Sequence, residues 1–94
     1  MKNTGEKQVF EVNQVENVSG NMWEIRGRTY KDVRIGDTLY AHVTDNSKAL
    51  PFEVVEIRVY GKNLREVSYG YASELVVKGD GGEILSRISH LYVS

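Results

Sequence analysis

Along most of this chain apolar and polar residues alternate with period two, the spacing that sends successive side chains to opposite faces of a strand. The first such run starts at Gln8, with Phe10 and Val12 followed by Val15 and Val18 after Asn13-Gln14. That extra residue in the register predicts a bulge, which a strand needs if it is to wrap into a barrel. Ser19-Gly20-Asn21 predicts a hairpin turn. In the next run Trp23, Ile25 and Gly27 share one face, while Glu24, Arg26 and Arg28 share the other. Trp23 and Ile25 are therefore expected in the core and the charges in water. Residues 29–32 are polar and should turn the chain. Val33 and Ile35 then point one way, Gly36-Asp37 turns again, and residues 38–43 read as a strand.

Residues 44–50 (TDNSKAL) form the longest turn-rich stretch and are expected to be a mobile loop. Pro51 opens the clearest strand, with Val55, Ile57 and Val59 on one face and Glu56, Arg58 and Tyr60 on the other. Gly61-Lys62-Asn63 predicts a turn. A further strand over residues 71–78 places Ser73, Leu75 and Val77 together, and Gly79-Asp80-Gly81-Gly82 ends it. The last segment, EILSRISHLYVS, admits two readings. One is a tight turn at residues 83–86 followed by a strand in which Ile88, His90 and Tyr92 alternate. The other is a two-turn helix with Ile84, Leu85, Ile88 and Leu91 as its stripe; the first is preferred. About six strands and no long helix to cover a sheet point to an all-β fold. A small closed antiparallel barrel of about six strands removes the edges that an open sheet would expose. Residues 1–7 are expected to be a frayed tail and residues 8–94 a single barrel domain.

Composition narrows the function more than the fold. Ninety-four residues suffice for one domain with a modest core. Nine glycines, one proline and many Val, Ile and Tyr residues are strand-and-turn chemistry. Without cysteine there is neither a disulfide nor a thiolate metal site, which fits a reducing compartment. Twelve basic and thirteen acidic residues give a net charge of −1, which excludes the strongly basic footprint of an autonomous nucleic-acid binder but not a local basic patch. The first residues lack the apolar run of a signal peptide, and no stretch approaches a membrane span, so a cytoplasmic location and no membrane partner are expected.

The segment IRGRTYKDVRIGDTLYAHV resembles the β-barrel that follows the GTPase domain in translational GTPases such as elongation factor Tu. The shared elements are Gly27-Arg28 at a strand end, a polar turn, then Val33, Ile35 and the Gly36-Asp37 turn. Downstream, Gly70, Ser73, Leu75, Val77 and Gly79 match the family's glycine-flanked alternating strand, and Leu85 and Arg87 its short turn. The resemblance spans about residues 9–92. Ile88 stands where the family has glycine, His90 where an apolar residue is usual, and Ser73 at an apolar core position. There is no phosphate loop G-x-x-x-x-G-K-[ST], so the family's nucleotide hydrolysis does not carry over. What the resemblance implies is a translation-factor-type barrel acting as a docking module on a protein or on RNA.

No catalytic set emerges. His42 and His90 lack metal-ligand spacing and are expected to be structural, no G-x-S-x-G elbow occurs, and the acidic residues scatter singly along predicted solvent faces. The Asn17-Val18-Ser19 sequon carries no weight without a secretion signal. No cofactor is expected. Two surface features remain. Arg26, Arg28, Lys31 and Arg34 form a candidate patch for a phosphate backbone, although Glu24 and Asp32 interrupt it. Tyr60, Tyr69 and Tyr71, with Arg58 on the face of Tyr60, form a candidate surface for stacking or for anchoring a protein interface. A non-enzymatic module that docks on a protein partner is the leading expectation, and an RNA- or ribosome-associated barrel the alternative.

Overall fold

The computed structural model describes residues 7–43 and 48–93. In chain order the strands are β1 (Lys7–Ser19), β2 (Met22–Thr29), β3 (Val33–Arg34), β4 (Thr38–Val43), β5 (Lys48–Val59), β6 (Lys62–Leu64), β7 (Glu66–Val67), β8 (Ala72–Lys78) and β9 (His90–Val93). A 3₁₀ turn, Gly82–Ser86, links β8 to β9. Six strands close a ring in the order β1–β2–β8–β5–β4–β9 and back to β1, each neighbouring pair antiparallel. The hairpin strand β6 continues the edge of β5 beyond β4, and β3 pairs with β7 in a small separate ladder. The expected closed six-stranded barrel is the fold observed. The frayed tail expected at residues 1–7 lies, for residues 1–6, outside the described residues.

Bulges let these strands curl. In β1 the register against β2 slips between Val12 and Gln14, so the extra residue expected at Asn13-Gln14 is Asn13, and again between Asn17 and Ser19. Just beside the first slip β1 passes so close over Gly27 that a Cβ there would lie 1.6 Å from the Glu11 carbonyl oxygen. Only glycine allows that approach, which bends β1 around the corner of the barrel.

A further slip, between Val54 and Glu56 of β5, corrects the expected core face. Val55 is the extra residue and is only half-buried, so Val54 points inward before the bulge and Ile57 and Val59 after it. Strict alternation cannot reveal this, because an inserted residue exchanges the two faces. The core contains Phe10, Ile25, Leu39, Phe52, Val54, Ile57, Leu75, Val77, Leu85 and Leu91, all fully buried. Burying each such side chain is worth about 1.5–3 kcal/mol. Trp23 lies half-buried at the end of the barrel, where its indole rests on Gly82 and caps the core.

Other boundaries also shift. Thr29 does not begin a turn but ends β2, fully buried, with its hydroxyl donating to the Ser68 carbonyl at 2.8 Å. Of the loop expected at residues 44–50, residues 44–47 lie outside the described residues, whereas residues 48–50 already pair with β4. The β5–β6 turn is Tyr60-Gly61 rather than Gly61-Lys62-Asn63, since Lys62 and Asn63 belong to β6. At the C-terminal end a single tight turn precedes a strand, as preferred, and the two-turn helix is absent. There Leu91 is the core residue, while His90 and Tyr92 lie half-buried on the opposite face. Among the described residues no helix is long and apolar enough to cross a membrane.

Candidate binding surface

The outer face of β2, β8 and β5 carries a network that follows directly from register. Arg26 lies opposite Glu74, and Glu74 lies opposite Arg58 on the next strand. Val76 lies between Glu24 and Glu56 in the same way. Arg58 sits at the centre. Its Nε donates to Glu74 Oε1 at 3.1 Å, its Nη1 to Glu56 Oε2 at 3.1 Å, and its Nη2 to Glu24 Oε2. Arg26 donates from Nε to the other Glu74 oxygen at 3.0 Å and lies 3.6 Å from Glu24. The hydrogen bond that Arg58 donates to Glu74, with Glu56 and Glu24 around it, holds the Arg58 guanidinium pKa above its ordinary value although partial desolvation opposes this. Three carboxylates and two guanidiniums leave this cluster at net −1.

The sequence left these carboxylates scattered. The structure gathers Glu24, Glu56 and Glu74 around one arginine, because one face of three adjacent strands brings together positions far apart in the chain. The signal that would have found them is the strand pairing, which a single sequence does not contain.

The candidate arginines are therefore not one patch. Arg26 and Arg58 share the network. Arg28 donates from Nη1 to the Gly70 carbonyl at 2.9 Å, and Arg34 pairs with Glu66 at 3.0 Å on the small β3–β7 ladder. Lys31 lies exposed in the loop after β2, next to Asp32, whose carboxylate accepts the Tyr69 backbone N–H at 2.9 Å.

Beside the network runs an open groove of about 400 Å³, lined by residues including Gln14, Arg26, Arg58, Tyr60, Ala72 and Ser73. Gly27 and Ser73, opposite each other on β2 and β8 and both buried, also line it. Tyr60 borders this groove from the tip of the β5–β6 hairpin, 87% exposed. Its φ is 54° and that of Gly61 is 78°, the paired left-handed conformation that a two-residue hairpin turn demands. Such a turn favours Asn, Asp or Gly at its first position, and a bulky aromatic there is strained. Just before Ala72 in the groove wall come Tyr71 and Tyr69, 50% and 69% exposed. The structure thus places Arg26, Arg58 and Tyr60 on one groove, and Arg28, Tyr69 and Tyr71 around Gly70 beside its wall.

Among the described residues no group of three or more His, Asp or Glu side chains is arranged to hold a metal ion.

Comparison with solved structures bears on this architecture. The whole chain superposes on part of translation elongation factor SelB from Methanococcus maripaludis in its apo form, with a TM-score of 0.70 at 18% sequence identity. The barrel shares its fold with part of that translation factor. The match covers 100% of this chain and 20% of the SelB chain. At that identity the translation-factor barrel is shared as a fold, in keeping with the resemblance to the second domain of elongation factor Tu. No family model matches the sequence, and no curated protein matches it.

Proposed function

We propose that this translation-factor-type barrel is a non-enzymatic interaction module that docks on a protein partner through the groove bordered by Tyr60, with Tyr69 and Tyr71 beside it. Tyr60 carries the reading. A fold gains nothing from a strained, almost fully exposed tyrosine at a turn tip, whereas an interface gains a large anchor with little conformational entropy to lose. The charges around the groove support a protein rather than a nucleic acid. Arg26 and Arg58 already hold carboxylates, so a phosphate backbone would have to displace internal ion pairs to recruit them, and little counterion release would follow.

The test uses a photoreactive phenylalanine analogue placed at Tyr60 and, as a control, at exposed Val18 on the β1 bulge. A discrete protein adduct from position 60, resistant to ribonuclease and missing from position 18, is expected. Tyr60→Asn should weaken that association while stabilising the fold by about 0.5–1 kcal/mol, because Asn suits the left-handed turn. Adducts that ribonuclease removes would transfer the reading to RNA, and equal adducts at both positions would end it.

A further inference from the structure

On the opposite side of the ring from the β2–β8–β5 network lies a second pocket, of about 240 Å³, where β4 meets β9. Among the described residues its lining is His42, Arg87, Ile88, Ser89, His90 and Tyr92. Both histidines of the chain converge here from strands 48 residues apart in sequence. Each ring is fixed by an aromatic neighbour. His42 meets Tyr92 edge to face at 4.7 Å between centroids, and His90 stacks on Tyr30 at 5.8 Å. Ser89 Oγ lies 3.0 Å from His90 Nδ1.

The chemistry of this lining differs from that of three other grooves among the described residues. Those others each contain a carboxylate beside their basic residues: Glu74 in the groove at Tyr60, Glu16 and Glu24 in a small cleft beside β1, Glu53 and Asp80 in the hollow near Pro51. Among the described residues the β4–β9 pocket contains none. It offers the Arg87 guanidinium, the His90 imidazole and two hydroxyls, and among the described residues Arg87 makes no ion pair. Among the described residues the nearest carboxylate by register is Glu11, opposite His90 on β1. It is engaged elsewhere, accepting the Tyr30 hydroxyl at 3.0 Å, a bond that raises the tyrosine's pKa above its ordinary value.

We infer that this pocket is an anion site for a phosphate monoester. Arg87 supplies the fork that suits phosphate oxygens, the His90 imidazole and the hydroxyls of Ser89 and Tyr92 add donors from the walls, and the aromatic rings flank the ester group. The volume exceeds what a bare phosphate needs and admits a small planar substituent. The site is independent of the docking reading, since it lies across the ring on different strands.

The test is a nuclear magnetic resonance titration of the full chain with phenyl phosphate and with inorganic phosphate, each against sodium chloride at matched ionic strength. Saturable shifts of the amides of residues 87–92 and of His42 are expected, with phenyl phosphate binding several-fold more tightly than phosphate. Arg87→Gln, at an exposed position, should weaken binding about tenfold or more. Lys62→Gln, which removes the same charge on the far hairpin, should leave it unchanged. Shifts that never saturate and are matched by chloride, or equal losses in the two variants, overturn the site. Equal affinity for phosphate and phenyl phosphate overturns its assignment to an ester.

Discussion

The two sides of this barrel close the same ring by different means. Between β2, β8 and β5 the ladders run long, from Met22 opposite Lys78 to Arg28 opposite Ala72, and from Glu53 opposite Lys78 to Arg58 opposite Glu74. Their outer face binds its own charges in one network. Between β4 and β9, among the described residues, the ladder register rests on Tyr40 opposite Tyr92. There the surface is aromatic and imidazole-rich, and Arg87 keeps its charge unpaired among the described residues. Closure requires that every junction exist, but not that all be equally strong. A long ladder sets opposite charges side by side across strands, where they neutralise one another. A short seam has few such positions, and its polar groups remain turned toward solvent or a ligand.

The sharpest way to break the strong side is Gly27→Ala. The new Cβ would meet the Glu11 carbonyl at 1.6 Å, a backbone atom that cannot swing aside, so a loss of about 3 kcal/mol or more is expected in urea unfolding. A near-neutral result would mean that β1 does not coil tightly at this corner.

Native-state hydrogen exchange compares the two sides directly. Amides of β9 should open at least about 2 kcal/mol more easily than the central amides of β8, which are paired on both flanks. Equal protection would dissolve the distinction between seam and ladder. The smallest effect comes from the charges. A double-mutant cycle with Glu24→Gln and Arg58→Gln should give a coupling of about 1–2 kcal/mol, because Glu24 is only 13% exposed and Arg58 29%. The same cycle on the exposed Arg34–Glu66 pair should give less than about 0.5 kcal/mol. If the two couplings match, the network is no more than a set of surface pairs.

Much of the architecture was legible because period-two patterning is local. Ile25, Leu75 and Val77 are core residues as alternation requires, the bulge at Asn13 follows from one surplus residue, and the tight turn before β9 follows from glycines and a short apolar run. The bulge at Val55 was not legible. Pro-Phe-Glu-Val-Val-Glu-Ile alternates plausibly in either register, and only pairing with β8 decides that Val54 rather than Val55 turns inward. The binding surface was half legible. Tyrosines and arginines could be named, but not which arginines were already spent on carboxylates, and not that His42 and Arg87 line one pocket at the seam.

The chain's own pattern of side chains determined that it forms strands, where most of them turn, and that they bury one face in common, because alternation and turn chemistry act between near neighbours. The tertiary structure alone decided which strands became partners and so which charges cancel. It also decided that the two histidines share a pocket. Those outcomes depend on register between segments tens of residues apart, and register is set by bulges and ring closure rather than by any local signal.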